Sequence, residues 1–166
     1  MDRPVRVLFV CLGNICRSPT AHGVFLKRVA DAGLADQIEV DSCGTGGWHV
    51  GEKPDRRATA AAASRGYQLD SLRARQLTLE DFGFYDYILP MDRSNMADIH
   101  GLASGLSESD IKQDQIVRLF LSFAADEFDE VEVPDPYYGG DQGFEHVLDL
   151  IESAATGLLA DIQARM

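Results

Sequence analysis

Apolar and polar positions along this chain fall into blocks whose period switches between strand-like and helix-like. Val5 to Val10 is rich in β-branched, aliphatic and aromatic residues, the composition of a buried strand. Ser18 and Pro19 then read as the N-cap and first residue of a helix. Ala21, Val24, Phe25, Val29 and Ala32 give that helix one apolar stripe, and Gly33 stops it. Ile38 to Ser42 is a second short strand. "GTGGWHVGEKPD" is a loop by its glycines, and Pro54 starts an alanine-rich helix that ends at Gly66. Thr78 opens a helical turn over "TLEDF", with Asp81 placed for an approximate capping box. "YDYILPM" is a third strand, and "DRSNMADIHGL" a helix capped by Asp92. Ile116 to Phe120 is a fourth strand. "DEFDEVEVPDPYYGGDQG" is acidic and turn-rich, hence a loop. From Asp141 to Arg165, the positions Phe144, Val147, Leu148, Ile151, Ala155, Leu158, Leu159 and Ile162 recur at helical spacing and predict a long terminal helix.

Strands that alternate with helices predict βαβ units: an α/β fold of three layers, a parallel sheet with helices on both faces. Such sheets bind ligands past the carboxyl ends of their strands, where strand order reverses. Cys11 stands at the carboxyl end of the first strand. No repeat, linker or low-complexity segment divides the chain, and its 166 residues read as a single domain over 1–166. A chain of that length buries roughly 70% of its unfolded surface, enough for a sizeable core.

Composition changes this picture only at the level of partners. Hydrophobic residues at 45% and charged residues at 25% are ordinary for a globular protein. The net charge of −12 excludes a nucleic-acid binder, which needs a basic footprint, and disfavours anionic membrane surfaces. An anionic substrate would have to be held locally against that global field. The opening "MDRPVRVLFV" has too short an apolar run for a signal peptide, and no stretch approaches the ~20 apolar residues of a membrane span. A cytoplasmic protein is expected. The three cysteines, Cys11, Cys16 and Cys43, are an odd number without export signals, so a structural disulfide framework is not expected.

The chemistry concentrates in "CLGNICRSP", from Cys11 to Pro19. Gly13 and Asn14 accept left-handed backbone angles readily, so the loop can curl into a nest of N–H groups at a helix N-terminus. Those groups and the positive helix end stabilise a thiolate, the nucleophilic form of Cys11, and Ser18 could hydrogen-bond the sulfur. Arg17 offers a planar fork for two phosphate oxygens. Nucleophile, anion cradle and fork together describe phosphoryl transfer to sulfur. Each residue also has an ordinary reading. An isolated cysteine is by default a small buried hydrophobe, which fits Cys43 and is open for Cys16. Asp135, before a proline in an acidic loop, reads alone as a turn residue, and Trp48, Tyr137 and Tyr138 as turn packing. The histidines His22, His49, His100 and His146 show no paired ligand spacing, so no metal site is expected. "GGWHVGEK" fails as a phosphate-binding Walker loop because Glu52 stands where lysine must follow the second glycine.

The C-x5-R-S loop after a buried strand, "VLFVCLGNICRSP", resembles the low-molecular-weight protein tyrosine phosphatases. "DSCGTGGWHVGEKPDRRA", "ARQLTLEDF", "YDYILPMDRSN" and "PDPYYGGDQGFE" follow in the family's order, so the resemblance covers nearly the whole chain. It implies a four-stranded parallel sheet of order 2-1-3-4, which puts the switch point beside the first strand. It implies hydrolysis of phosphotyrosine through a phosphocysteine on Cys11, with phosphate held by Arg17 and by the loop Leu12, Gly13, Asn14, Ile15, Cys16 and Ser18. Asp135, in "DPYY", becomes the general acid and then the base. Ser18 assists the sulfur, Asn14 holds the loop shape and Ser42 supports it. Leu12, Trp48, Tyr137 and Tyr138 become the walls of a slot for a phenyl ring. Cys16 matches a cysteine that in some members forms a reversible disulfide with the nucleophile. The implied partners are a tyrosine-phosphorylated protein or peptide, with inorganic phosphate as product and inhibitor; no cofactor is expected, and the chain should be a monomer.

Two positions depart from the family pattern. Many members carry a histidine where Leu72 stands, in "SLRARQ", so the support around Asn14 should differ. Many carry alanine or glycine in place of Cys43. Three other functions share the cradle. An arsenate reductase needs further cysteines, and none follows Cys43. An arginine-phosphate phosphatase favours threonine at Ile15. A phosphate-sensing module needs neither Asp135 nor a reactive thiol.

Overall fold

The computed structural model describes residues 3–126, 128–136 and 141–166. Four strands, β1 (Val5–Cys11), β2 (Ile38–Gly44), β3 (Tyr87–Pro90) and β4 (Ile116–Val117), form one parallel sheet of order β2-β1-β3-β4. This is the order expected. Period-two alternation along β1 explains the layers. Val7, Phe9 and Cys11 face one apolar cluster, and Leu8 and Val10 face another. The first cluster is closed by helices α1 (Arg17–Asp31), α2 (Arg56–Ser64) and α4 (Asp141–Arg165). The second is closed by α3 (Arg93–Ala103) and the 3₁₀ turn Leu79–Gly83. Phe9 anchors the first, its ring edge-on to Phe25 at 5.8 Å and to Phe120 at 4.9 Å. Among the described residues no helix is long and apolar enough to cross a membrane.

Boundaries move where tertiary partners compete with local signals. Helix α1 starts at Arg17 with Cys16 as N-cap, not at Pro19 with Ser18 as cap. The Ser18 hydroxyl is engaged by Cys11 Sγ and Asn14 Nδ2 and does not cap. Helix α2 begins at Arg56, because the Asp55 carboxylate accepts from the N–H groups of Arg57 and Ala58. Strand β4 is an edge strand of two residues, not five. It pairs only with Tyr87 and Ile88, after which the chain rolls into a 3₁₀ turn, Phe120–Phe123, that carries Phe120 onto Phe9. Other signals read directly. Gly33 ends α1 at a φ of 74°, where the N–H of Leu34 reaches back to Val29 O at 3.0 Å. Thr78 N–H donates to the Asp81 carboxylate at 2.9 Å. Asp92 caps α3 by accepting from Asn95 N–H at 2.7 Å.

Helix α4 presses on the turn after β4 at Gly157, where a Cβ would overlap the Phe123 carbonyl oxygen. Alanine in place of glycine in a helix interior ordinarily gains about 1 kcal/mol. Here the neighbour is backbone and cannot swing away, so Gly157→Ala should instead cost about 1–3 kcal/mol, as overpacking does. Thermal melts of the two proteins decide the sign; a stabilised variant would mean that α4 can slide off the turn.

Candidate active site

Strand β1 delivers Cys11 to the crevice between the switch strands β1 and β3, and the next five residues turn before α1 begins. That turn is held from every side. Asn14 takes the left-handed conformation, φ 57°. Its side chain donates to Ser18 Oγ at 2.7 Å and accepts from the Arg75 backbone N–H at 3.0 Å. Three loop carbonyls are tied to neighbouring segments. Thr45 N–H meets Cys11 O at 2.9 Å, Gly46 N–H meets Leu12 O at 2.9 Å, and Asp55 N–H meets Ile15 O at 2.7 Å. Gly44 forms the floor: a Cβ there would lie 2.6 Å from Leu12 O and 3.0 Å from Asn14 N.

The Cys11 sulfur lies 3.0 Å from Ser18 Oγ and accepts from Asn14 N–H at 3.3 Å. Ser18 has one proton and two acceptors in reach, since Cys43 O is 3.3 Å away. With a thiolate at 11, Ser18 donates to sulfur. With a thiol, Cys11 can donate to Ser18 and Ser18 to Cys43 O. The arrangement therefore accommodates either protonation state.

Arg17, only 4% exposed, points from the first turn of α1 into the same crevice. Its Nη1 donates to Asp92 Oδ2 at 2.6 Å and to Val133 O at 3.0 Å. Its Nη2 lies 3.8 Å from Asp135 Oδ2. Burial is the largest influence on the guanidinium and opposes its charge, but Cys11, Asp92 and Asp135 together hold its pKa above the ordinary value. An open cleft of about 320 Å³ brings Cys11, Cys16, Arg17 and Asp135 together, with Leu12, Ile15 and Trp48 as its apolar walls. Trp48 is 71% exposed. Its indole lies so close over Gly46 that a Cβ there would overlap the ring. All three cysteines are buried and reduced. Burial first, and then the Asp55, Cys11 and Asp135 charges, push the Cys16 thiol far up. Tyr137 and Tyr138, the other expected walls, lie outside the described residues.

Residues 6–166 match the family model for low molecular weight phosphotyrosine protein phosphatases. The chain is 44% identical to a low molecular weight protein-tyrosine-phosphatase of Streptomyces coelicolor, over 97% of this chain and 95% of that one. The crystal structure of YfkJ from Bacillus subtilis superposes with a TM-score of 0.88 at 37% identity, covering 99% and 98% of the two chains. A Drosophila arginine phosphatase superposes at 0.85 with 30% identity, covering 94% and 96%.

The chain belongs to the low molecular weight phosphotyrosine protein phosphatase family.

Sequence reasoning missed four residues around the site of this phosphatase. Asp92 was legible only as a helix cap; one of its oxygens caps α3 while the other grips Arg17. His49 lines the cleft against Gly13 and pairs with Glu52 at 3.2 Å. Arg75 fixes Asn14 through its backbone, while its guanidinium binds Asp41 at 3.0 Å and Asp81 at 3.0 Å. The fourth, His22, is buried and sets Nδ1 2.9 Å from the hydroxyl of Ser42. The backbone N–H of Ser42 in turn donates to the Asp41 carboxylate at 2.8 Å. Leu72 packs against the apolar core, so the imidazole in this network comes from α1 instead. Cys43 is fully buried in the second cluster, the ordinary reading for an isolated cysteine.

Burial lowers the His22 pKa from 6.5 to about 4, with Asp41 pulling it up and Arg75 pushing it down. The unfolded chain therefore binds more protons than the native one between those values. This contribution to stability is complete above about pH 6.5 and is lost as the pH falls towards 4. One such proton gives a slope of at most ~1.4 kcal/mol per pH unit. Urea midpoints measured from pH 7 to pH 4.5 should fall more steeply for the wild type than for His22→Gln. Parallel curves would mean that the imidazole is not held neutral.

Proposed function

We propose that this phosphatase hydrolyses phosphotyrosine in proteins or peptides through a phosphocysteine on Cys11, with Asp135 as general acid and then general base. The observation that carries the reading is the convergence of Cys11, the Arg17 fork and the Asp135 carboxylate on one cleft, Arg17 and Asp135 standing 3.8 Å apart. A phosphate dianion docks on the Arg17 fork and on the N–H groups of the loop, whose Cys11, Leu12 and Ile15 carbonyls are tied to neighbouring segments. The Cys11 thiolate, solvated by Ser18 and Asn14, attacks phosphorus. As the ester P–O bond breaks, Asp135 gives its proton to the phenolate. Its carboxylate then takes a proton from the water that attacks the phosphocysteine, and inorganic phosphate and the thiolate are released. Free phosphate presents the same oxygens and inhibits as product. Pro136 restricts the backbone of Asp135 to extended angles, which helps aim the carboxyl group.

The apolar walls support an aromatic leaving group. Ile15 offers no hydroxyl to a guanidinium, which weighs against phosphoarginine even though an arginine phosphatase is among the structural relatives. Asp135→Asn removes the proton but keeps the shape. The leaving phenolate has a conjugate acid near pKa ~10 and departs poorly without a proton, so phosphotyrosine turnover should fall by about 100- to 10,000-fold. Aryl phosphates with much more acidic phenols should lose far less, because they need little protonation. A uniform loss over a series of leaving groups would reduce Asp135 to a loop-shaping residue.

Cys16 belongs to the same reading as the partner of an oxidised nucleophile. Peroxide converts the Cys11 thiolate to a sulfenic acid and is reduced to water; the Cys16 thiol then displaces water, leaving a disulfide. Cys16 lines the same cleft as Cys11, and burial holds it as the thiol that this step consumes. Activity lost to peroxide should return with dithiothreitol in the wild type and much less in Cys16→Ser. Equal recovery would remove Cys16 from this role.

A further inference from the structure

The cleft is not the only concavity on this face. A second groove of about 450 Å³ begins on the far side of Leu12 and Trp48, which line both spaces. Its opposite bank is the outer face of α3. There Ala97 and Gly101, one helical turn apart, leave depth between the helix and Trp48. Beyond its chain neighbours and the backbone of its own helix, no atom lies within 4 Å of the point where a Cβ on Gly101 would sit. Leu102, 39% exposed, and Leu12, 42% exposed, add apolar surface facing solvent. Asp98 is the one charged residue among those lining the groove.

Building on the phosphotyrosine reading above, the geometry points to this groove as a substrate subsite: it takes a large apolar side chain two residues from the phosphotyrosine of an extended peptide. Successive side chains of an extended chain point to opposite sides, and those two apart share a side at roughly 7 Å spacing. When the phosphotyrosine enters the cleft, the nearest side chain facing the protein is thus two positions away. The groove sharing the wall made by Leu12 and Trp48 is where that side chain can enter. Its occupation covers Trp48 and Leu102, which water otherwise wets, and burial of that surface favours binding. Asp98 sets the opposite term, since a carboxylate at the same peptide position would lie beside it in a protein whose net charge is already −12. The subsite selects for leucine or phenylalanine and against aspartate or glutamate.

The test compares kcat/KM for phosphotyrosine peptides carrying Leu, Ala or Asp at the position two before or two after the tyrosine, in an otherwise alanine-rich background. At one of the two positions Leu should exceed Ala by about tenfold, the low end of what one methylene is worth in an enclosed apolar pocket, since this groove is open and Thr45, Gln76 and Asp98 also line it, and Asp should fall below Ala. The Leu-to-Ala ratio is read within each protein, so general losses cancel. It should shrink several-fold in Leu102→Ala and in Ala97→Glu, while Asp98→Asn should raise the relative rate of the Asp peptide. Peptides hydrolysed equally well at both positions, or a Leu preference untouched by both α3 variants, would overturn the subsite and leave the phosphatase reading standing. No hydrolysis of any phosphotyrosine peptide would overturn both.

Discussion

The arrangement of this protein turns on a buried guanidinium. Arg17 is almost inaccessible to water, and an isolated cation so placed would cost several kcal/mol. Its charge is compensated by groups drawn from distant parts of the chain: Asp92 after β3, and the Val133 carbonyl and Asp135 from the loop before α4. These contacts bring the end of β3 and the late acidic loop to the helix that follows the cysteine loop. One electrostatic requirement thus assembles the walls of the cleft that Arg17 and Cys11 line together.

The thiol loop is under a different constraint, that of backbone conformation. Asn14 lies in the left-handed region, where a side chain other than glycine needs support. The support comes from both ends of its amide, through Ser18 on α1 and the backbone of Arg75. Arg75 is itself fixed by Asp41 and Asp81, so the loop rests on β2 and on the turn that caps the second layer. Gly44 lets β2 pass directly beneath. A loop held this way has its N–H groups oriented before any anion arrives, which lowers the reorganisation that binding would otherwise require.

The same economy explains how a strongly acidic protein can take an anionic substrate. The net charge of −12 repels anions at long range, but that field is screened beyond about 8–10 Å at physiological salt. Inside the cleft the helix end and Arg17 act over a few ångströms, where screening is weak. Asp135, at 37% side-chain exposure, lines the same cleft 3.8 Å from the Arg17 fork.

By itself the sequence determined the alternation of strands and helices, the strand that delivers Cys11, the stop at Gly33, and the caps at Thr78 and Asp92. The C-x5-R-S spacing was sufficient to put Cys11 and Arg17 at one cleft, because the loop is short and its residues are nearly consecutive, and the resemblance carried by the late Asp-Pro-Tyr-Tyr added Asp135, which lines the same cleft. Tertiary structure alone decided the rest. Ser18, read in the sequence both as a cap and as a partner of the sulfur, serves only the second role, because Cys11 and Asn14 come within its reach once the loop has curled. Strand β4 shrank to two residues because Phe120 was worth more buried against Phe9 than extended at a sheet edge. Asp92, His22, His49 and Arg75 carry no local mark of their roles. Their partners lie tens of residues away along the chain or across a loop, and a hydrogen bond or ion pair between such positions exists only after the sheet has brought its strand ends together.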